Sequence, residues 1–255
     1  EYETTTIYFM LSSINLSDKT VSVTLSDEDG EYIKFEVTGK NFVSGTAYAY
    51  TLVDGEKCAT SITYNAVDLG LPSGTLWADR NVGADSPEAY GDYFAWGETS
   101  PKSTYYFDSY KWYQDGGYTL TKYCTDSSSF GTVDNKTTLD LEDDAAYVNM
   151  GEEWRMPTDA EQGELMSECT WTWTTQNGTT GYKVTGPNSN SIFLPAAGYR
   201  DVGNLYAEGA YGEYWSSSLD ESAPKDAWNI LFIWNSRDVG GFDRCCGLSV
   251  RAVVR

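Results

Sequence analysis

Alternating apolar and polar positions dominate the first sixty residues, the period of half-buried strands. Residues 5–11, 19–25 and 32–37 carry β-branched and aromatic side chains in near alternation, and Asp29-Gly30 marks a hairpin between the last two. A turn beginning at Gly39 leads into one more strand that ends at Leu52. Four strands are too few to close a sandwich, so residues 1–63 read as the end of a larger β domain. Asp54 to Tyr64 reads as a linker, and the pattern changes after it.

From Val67 onward short strands and helix signals mix. Pro72-Ser73-Gly74 predicts a tight turn leading into a strand on Trp77. Ser86-Pro87-Glu88 has the order of a helix start, with Ser86 as cap and Pro87 in the first turn. Tyr90 to Trp96 supplies aromatics for a core, and residues 99–140 form a long, weakly periodic excursion. A short helix is predicted within residues 139–150. A second runs from Thr158 to Cys169, because Thr158 and Glu161 have capping-box spacing; its core face would use Ala160, Leu165 and Met166. Asn177-Gly178 predicts a hairpin between strands at 171–175 and 181–184, and another strand begins at Ser191. At the end of the chain, strands are predicted at 214–219, 226–234 and 248–254. Residues 235–243 have the composition of a turn.

Composition narrows the function classes. The 255 residues carry a net charge of -21 and no His. Such acidity repels nucleic acid and anionic lipid heads, and lack of His removes Ser-His-Asp catalysis, His-based zinc sites and imidazole proton shuttles. Five Cys lack the spacing of a metal site or a disulfide framework, so no disulfide is expected to matter for stability. No apolar run reaches the roughly 18 residues of a membrane span. The chain opens at Glu1, and the expectation is that a signal peptide has been removed. Arg155 and Arg251 read as structural: Arg155 held by the carboxylates of Glu142, Asp143 and Asp144, Arg251 buried and paired.

Two family resemblances organise these elements. Gly39-Lys40, Phe42, Gly45, Tyr48, Tyr50 and Thr51 resemble the closing strands of fimbrillin-like domains of Bacteroidetes surface proteins. Residues 67–255 resemble the FISUMP family of bacterial surface domains. The resemblance runs through Val67-Asp-Leu-Gly-Leu-Pro-Ser-Gly-Thr-Leu-Trp77, Asn81-Val-Gly-Ala84, Tyr93-Phe-Ala-Trp-Gly-Glu98, Trp154-Arg-Met-Pro-Thr158, Leu194-Pro-Ala-Ala-Gly-Tyr-Arg200, Tyr214-Trp-Ser-Ser-Ser218 and Ser249-Val-Arg251. It implies an α+β, C-type-lectin-like domain over 64–255, related to the formylglycine-generating enzymes, with two helices and small antiparallel sheets. A partial all-β sandwich module over 1–63 would precede it. Asp79-Arg80 departs from the Thr-Cys that relatives often carry, and Cys245-Cys246 from their single Cys or none. Adjacent cysteines do not suit the two-Cys oxidase chemistry of the enzymatic relatives. Gly186-Pro187-Asn188 and Trp228-Asn229-Ile230 lack the carboxylates of a lectin calcium site, so no metal, no cofactor and no catalytic residue is expected.

The candidate site is the C-terminal strand–turn–strand. Ile230, Ile233, Trp234, Asn235, Ser236, Arg237, Asp238, Phe242, Asp243, Cys245 and Cys246 mix rigid aromatics with adaptable polar residues, the composition of recognition surfaces. From Asp226 onward Glu, Lys, Gln and Met are absent, and from Asn229 to Cys246 every residue type but that of Trp234 is reachable from an Asn codon by changing adenines. This resembles the variable proteins of diversity-generating retroelements. It implies a varied set of Ile230, Ile233, Asn235 to Asp238, Gly240 to Asp243, Cys245 and Cys246, with Leu231, Phe232, Trp234, Arg244 and Gly247 to Val253 in a fixed frame. The expected function is a secreted, cell-surface adhesin or fimbrial tip protein, outer-membrane-anchored or pilus-associated. Its partners would be an extracellular protein or glycan ligand and pilin subunits, with no nucleic acid. The alternatives are a non-binding structural subunit of a fimbria and a carbohydrate-active enzyme.

Overall fold

The computed structural model describes residues 64–254 apart from 115–118, 127–130 and 132, together with the backbone of six strands within residues 1–63. The chain divides into two compact units, Glu1–Thr63 and Tyr64–Arg255. In the first, Thr20–Ser26 pairs antiparallel with Tyr32–Thr38, Ser26 opposite Tyr32, while Asp29-Gly30 itself lies outside the described residues. Tyr48–Val53 pairs with Glu56–Ser61, Val53 opposite Glu56. That second strand corrects the linker reading of residues 54–64. Its sequence, Glu-Lys-Cys-Ala-Thr-Ser, carries no large apolar side chain and hides a strand, while Asp54-Gly55 is a two-residue hairpin signal. The strand expected at residues 5–11 lies outside the described residues.

In the second unit, strands β1 (Ala66–Asp68) and β2 (Leu76–Ala78) pair across the expected turn, where the Gly74 N–H donates to the Leu71 carbonyl at 2.9 Å. The sheet is completed by β3 (Trp154–Arg155) and β10 (Val253–Val254), in the order β3-β10-β2-β1. Val253 lies opposite Trp77, so the beginning and end of the unit are hydrogen-bonded neighbours.

Two helices follow their caps. Helix α1 (Ala145–Met150) starts where the Asp144 carboxylate accepts the N–H groups of Ala146 and Tyr147. Helix α2 (Asp159–Glu168) has the expected capping box: Thr158 Oγ1 accepts the Glu161 N–H at 3.2 Å, and Glu161 Oε2 accepts the Thr158 N–H at 2.8 Å. Its core face is corrected. Ala160 is exposed and Met166 half-buried, while Leu165 and Gln162 are buried. Gln162 is inside because its amide donates to the Tyr214 carbonyl at 3.0 Å, a bond that tethers α2 to the sheet below. No helix forms at Ser86: the Ala89 N–H closes one turn onto Ser86, and the chain then turns through Gly91 at φ 71°. A Cβ at Gly91 would meet the Val82 carbonyl oxygen at 2.4 Å, so glycine is required and the helix cannot propagate.

A meander of β4 (Thr170–Gln176), β5 (Thr179–Thr185) and β6 (Ser191–Pro195) comes next. Its first turn is Asn177-Gly178, both left-handed at φ 47° and 89°, as a two-residue hairpin of this composition requires. The last sheet is β7 (Gly212–Leu219), β8 (Asp226–Ile233) and β9 (Ser236–Asp243), in that order. Here the turn expected over residues 235–243 is corrected: only Trp234 and Asn235 turn, and Ser236–Asp243 is a full strand. Its Ser, Asp and Gly content resembles a loop because the strand stands at a sheet edge and buries little. The strand expected at 248–254 is also corrected. Residues 244–246 turn, residues 247–252 run as an extended segment through the interior, held by single contacts such as the Trp215 N–H to the Ser249 carbonyl, and only Val253–Val254 joins a ladder.

Apolar packing falls into two clusters, one around Trp96, Trp215, Phe94, Tyr123 and Leu248, the other around Trp77, Leu165, Tyr214, Phe232 and Val253. The unit is of the α+β class, with two short helices and small antiparallel sheets. Arg155 forms a two-pronged pair with Glu161, at 2.7 and 2.6 Å, rather than with Glu142, Asp143 or Asp144. The other carboxylates have different work: Asp143 accepts from Lys111, Lys122 and Tyr123, and Asp144 is occupied by backbone N–H groups. Among the described residues no helix is long and apolar enough to cross a membrane.

Candidate functional site

The β8–β9 hairpin projects from the sheet, and its register sorts the candidate residues by face. Paired residues on neighbouring strands point the same way. Gly212, Phe232 and Arg237 share one face with Tyr214, Ile230 and Val239; Glu213, Leu231 and Asp238 share the other with Trp215, Asn229 and Gly240. The first face packs on α2 and the β4–β6 meander. There Phe232 stacks on Tyr214 and meets Trp171, Trp173 and Tyr182 edge-on, with ring centroids 5.2–6.3 Å apart. Gly212 allows this: a Cβ there would lie 2.0 Å from the Phe232 ring.

Beyond Phe232 the hairpin leaves the core. The Tyr182 hydroxyl donates to the Ile233 carbonyl at 3.1 Å and pins the base of the tip. Trp234 then stands 67% exposed, and Asn235, Ser236, Arg237 and Asp238 are exposed beside it. The Arg237 guanidinium lies over the Trp171 ring, 5.6 Å from its centroid, so it is held rather than free to swing. An indole this open, flanked by a fixed cation and small polar groups, has no role in packing.

The structure brings together Trp234 to Asp238 at the tip and separates the rest. Ile230 is buried beneath the sheet, which corrects its expected place on the ligand face. Strand alternation explains it: position 230 shares the inward face with Phe232. Trp234, assigned to the fixed frame by the codon argument, is the most exposed large apolar side chain of the described residues. Phe242 is half-buried against Tyr199 and Trp215, and Asp243 is paired with Lys225 at 2.9 Å. Cys245 and Cys246 are buried, a second correction, although they reach the wall of a cleft of about 600 Å³ behind the sheet. Tyr106, Phe107, Tyr199, Val202 and Phe242 form the rest of its apolar lining. Hydrogen bonding to Cys245, together with burial, pushes the Cys246 thiol far above the usual thiol range. Cys246 is therefore a protonated, inert thiol, and the four described cysteines are unbridged.

Two polar features escaped the sequence reading. Glu213 is buried on the second face with the Asn229 amide donating to its carboxyl, and burial pushes it up to about 8 against that bond. No motif distinguishes it; only its strand position between Gly212 and Tyr214 could have shown it facing inward. Asp140, Glu142 and Asp143 converge closely enough to suggest a cation site. Lys122 already lies 2.6 Å from Asp140 and 2.5 Å from Asp143, and Lys111 and Lys136 add two more ammonium groups, so the charge is satisfied from within. The positions compared with a lectin calcium site are likewise occupied: Asn188 donates to the Asp68 carbonyl, and Asn229 to Glu213.

No protein-family model, curated protein or solved structure matches the chain.

Proposed function

We propose that the chain is a surface-displayed, non-catalytic binding protein that recognises an extracellular ligand through the tip of the β8–β9 hairpin. The observation that carries this reading is Trp234: a large, rigid side chain held 67% exposed on a pinned two-residue turn. Keeping such a ring in water costs about 2 kcal/mol relative to burying it, which a ligand would recover. The C-type-lectin-like assignment belongs to the same proposal. It is supported by the capped helices, and by the pairing of β2 with β10, which closes the unit on itself. Secretion and attachment to a cell surface or pilus rest on the FISUMP and fimbrillin resemblances alone; retroelement diversification rests on the restricted residue alphabet of the C-terminal segment, and its varied set now shrinks to the exposed positions.

The test is binding of the fluorescently labelled chain to a glycan array and to a panel of immobilised extracellular matrix proteins. Trp234→Ala is expected to weaken any specific signal at least tenfold, the size of an interface hot spot. Undiminished binding by that variant would remove the hairpin from the site.

A further inference from the structure

The β9 strand has one hydrogen-bonded neighbour, β8, and forms the edge of its sheet. Because the loop contains only Trp234 and Asn235, Ile233 and Ser236 close the hairpin as the hydrogen-bonded pair. Alternation then turns the N–H and C=O groups of Arg237, Val239 and Gly241 outward. Among the described residues no backbone group between Ser236 and Phe242 bonds to any element but β8. The Val239 N–H is instead satisfied locally by the Asp238 carboxylate at 2.8 Å, an exposed contact that a better acceptor can replace. At Gly240 and Gly241 no side chain stands between the edge and an approaching backbone.

Alongside this edge lies a groove of about 590 Å³. One wall is α2, at Gly163, Met166 and Ser167; the other is β9, at Arg237, Asp238 and Val239. The three helix residues have i, i+3, i+4 spacing and so form a single stripe. Gly163 leaves open space: a Cβ there would touch nothing within 4 Å. Small residues flanking one Met give a shallow, partly apolar channel whose long side is an unpaired strand.

We infer that this channel takes an extended peptide segment of a partner protein, which adds to β9 as a fourth strand of the β7-β8-β9 sheet. Main-chain bonds to residues 237, 239 and 241 supply the affinity, and every second peptide side chain enters the channel over Met166. At about 3.3 Å per residue, a segment of five or six residues spans the exposed part of the edge. The acidity of the chain selects segments with basic flanks. A folded glycan offers no such ladder. The inference rests on the hairpin being the binding face and specifies what it binds.

The probe is a displayed library of random twelve-residue peptides, selected on the whole chain and followed by synthesis of the selected peptides with each backbone nitrogen methylated in turn. The expected result is a loss of at least tenfold at alternate peptide positions and little change between them, because only every second N–H faces β9. Arg237→Pro, which removes an outward N–H, is expected to weaken binding well beyond Arg237→Ala, which removes only the side chain. Methylation that is tolerated everywhere, or that costs equally everywhere, overturns strand addition, as does failure of the library to yield any specific peptide. These outcomes leave the hairpin reading standing if Trp234→Ala still abolishes binding to an arrayed glycan or matrix protein. Loss of peptide binding in Arg237→Pro alone, with alternate methylation tolerated, also overturns the inference.

Discussion

The Arg251 guanidinium grips the side-chain oxygen of Asn81 with two donors, Nε at 2.9 Å and Nη2 at 2.8 Å, across 170 residues of sequence. Both residues are buried, and no carboxylate takes part. The remaining donors reach the carbonyls of Ala78 and Phe193, while the Asn81 amide donates to the Tyr90 carbonyl. The Arg was expected to be paired; its charge is instead dispersed over neutral dipoles, and burial lowers its pKa to about 10. Asn81→Leu should cost about 3 kcal/mol or more, because a buried cation loses two acceptor contacts. Adding Arg251→Met to that variant should restore part of the loss. Urea denaturation of the four-member cycle measures the coupling, and additive losses would show that the pair does not act as a unit.

Glu213 sets a pH dependence. Its carboxyl ionises near 4.5 in the unfolded chain and at about 8 in the native one. Between those values the native state holds a proton that the unfolded state has released, so stability falls as pH rises through the window. The loss is on the order of 5 kcal/mol across the whole window. Asp144, pushed up to about 6 by burial, adds a smaller loss of the same sign between 3.8 and 6. Glu213→Gln should flatten the slope and make the protein more stable than the wild type above pH 8. Parallel pH–stability curves for the two proteins would refute this.

Asp144 joins two elements with one carboxylate. Its Oδ1 caps α1, and its Oδ2 accepts the Met156 N–H at 2.8 Å, next to β3. Asp144→Asn keeps one oxygen and turns a donor toward whichever set of N–H groups it abandons. It should therefore cost nearly as much as Asp144→Ala, about 2 kcal/mol. Chemical denaturation compares them; a neutral Asn variant would mean that only the cap matters.

Residues 64–255 should fold alone. They hold both helices, all nine Trp and the β2–β10 closure. Calorimetry of that fragment is expected to give one cooperative transition, and a featureless melt would show that it depends on residues 1–63.

Reductant should leave the melting temperature of the whole chain unchanged, since Cys124, Cys169, Cys245 and Cys246 are free. A drop of several degrees would point to a bridge that matters.

Local chemistry was legible where neighbours in sequence satisfy one another. Thr158 with Glu161, Asn177 with Gly178, and the turn at Gly74 were readable because cap, turn and partner lie within three residues. Partners distant in sequence were not. Nothing near Arg251 predicts Asn81, and nothing near Gln162 announces the Tyr214 carbonyl that draws it inside. The site was legible in part: Trp234 and its polar neighbours stood out by composition. An exposed edge needs few apolar residues, so β9 has the composition of a turn, and the outward position expected of Ile230 fails because the register sets it on the same face as Phe232. Arg155 lay beside an acidic run, yet its partner came from the first turn of α2, where Glu161 was already positioned by the capping box.

Residues 244–253 have a consequence for how the protein comes into being. This stretch supplies Arg244, Leu248, Val250 and Arg251 to the interior, and its backbone fastens Phe94, Trp215 and Val82 to one another. A ribosome delivers it after every other part of the interior. A nascent chain that has emerged only as far as the β8–β9 hairpin holds helices, meander and sheet with no strut between them. Folding of this unit therefore waits for its final residues and then requires many distant segments to meet at once, which makes it slow. The delay keeps this unit unfolded and threadable until residues 244–253 have emerged.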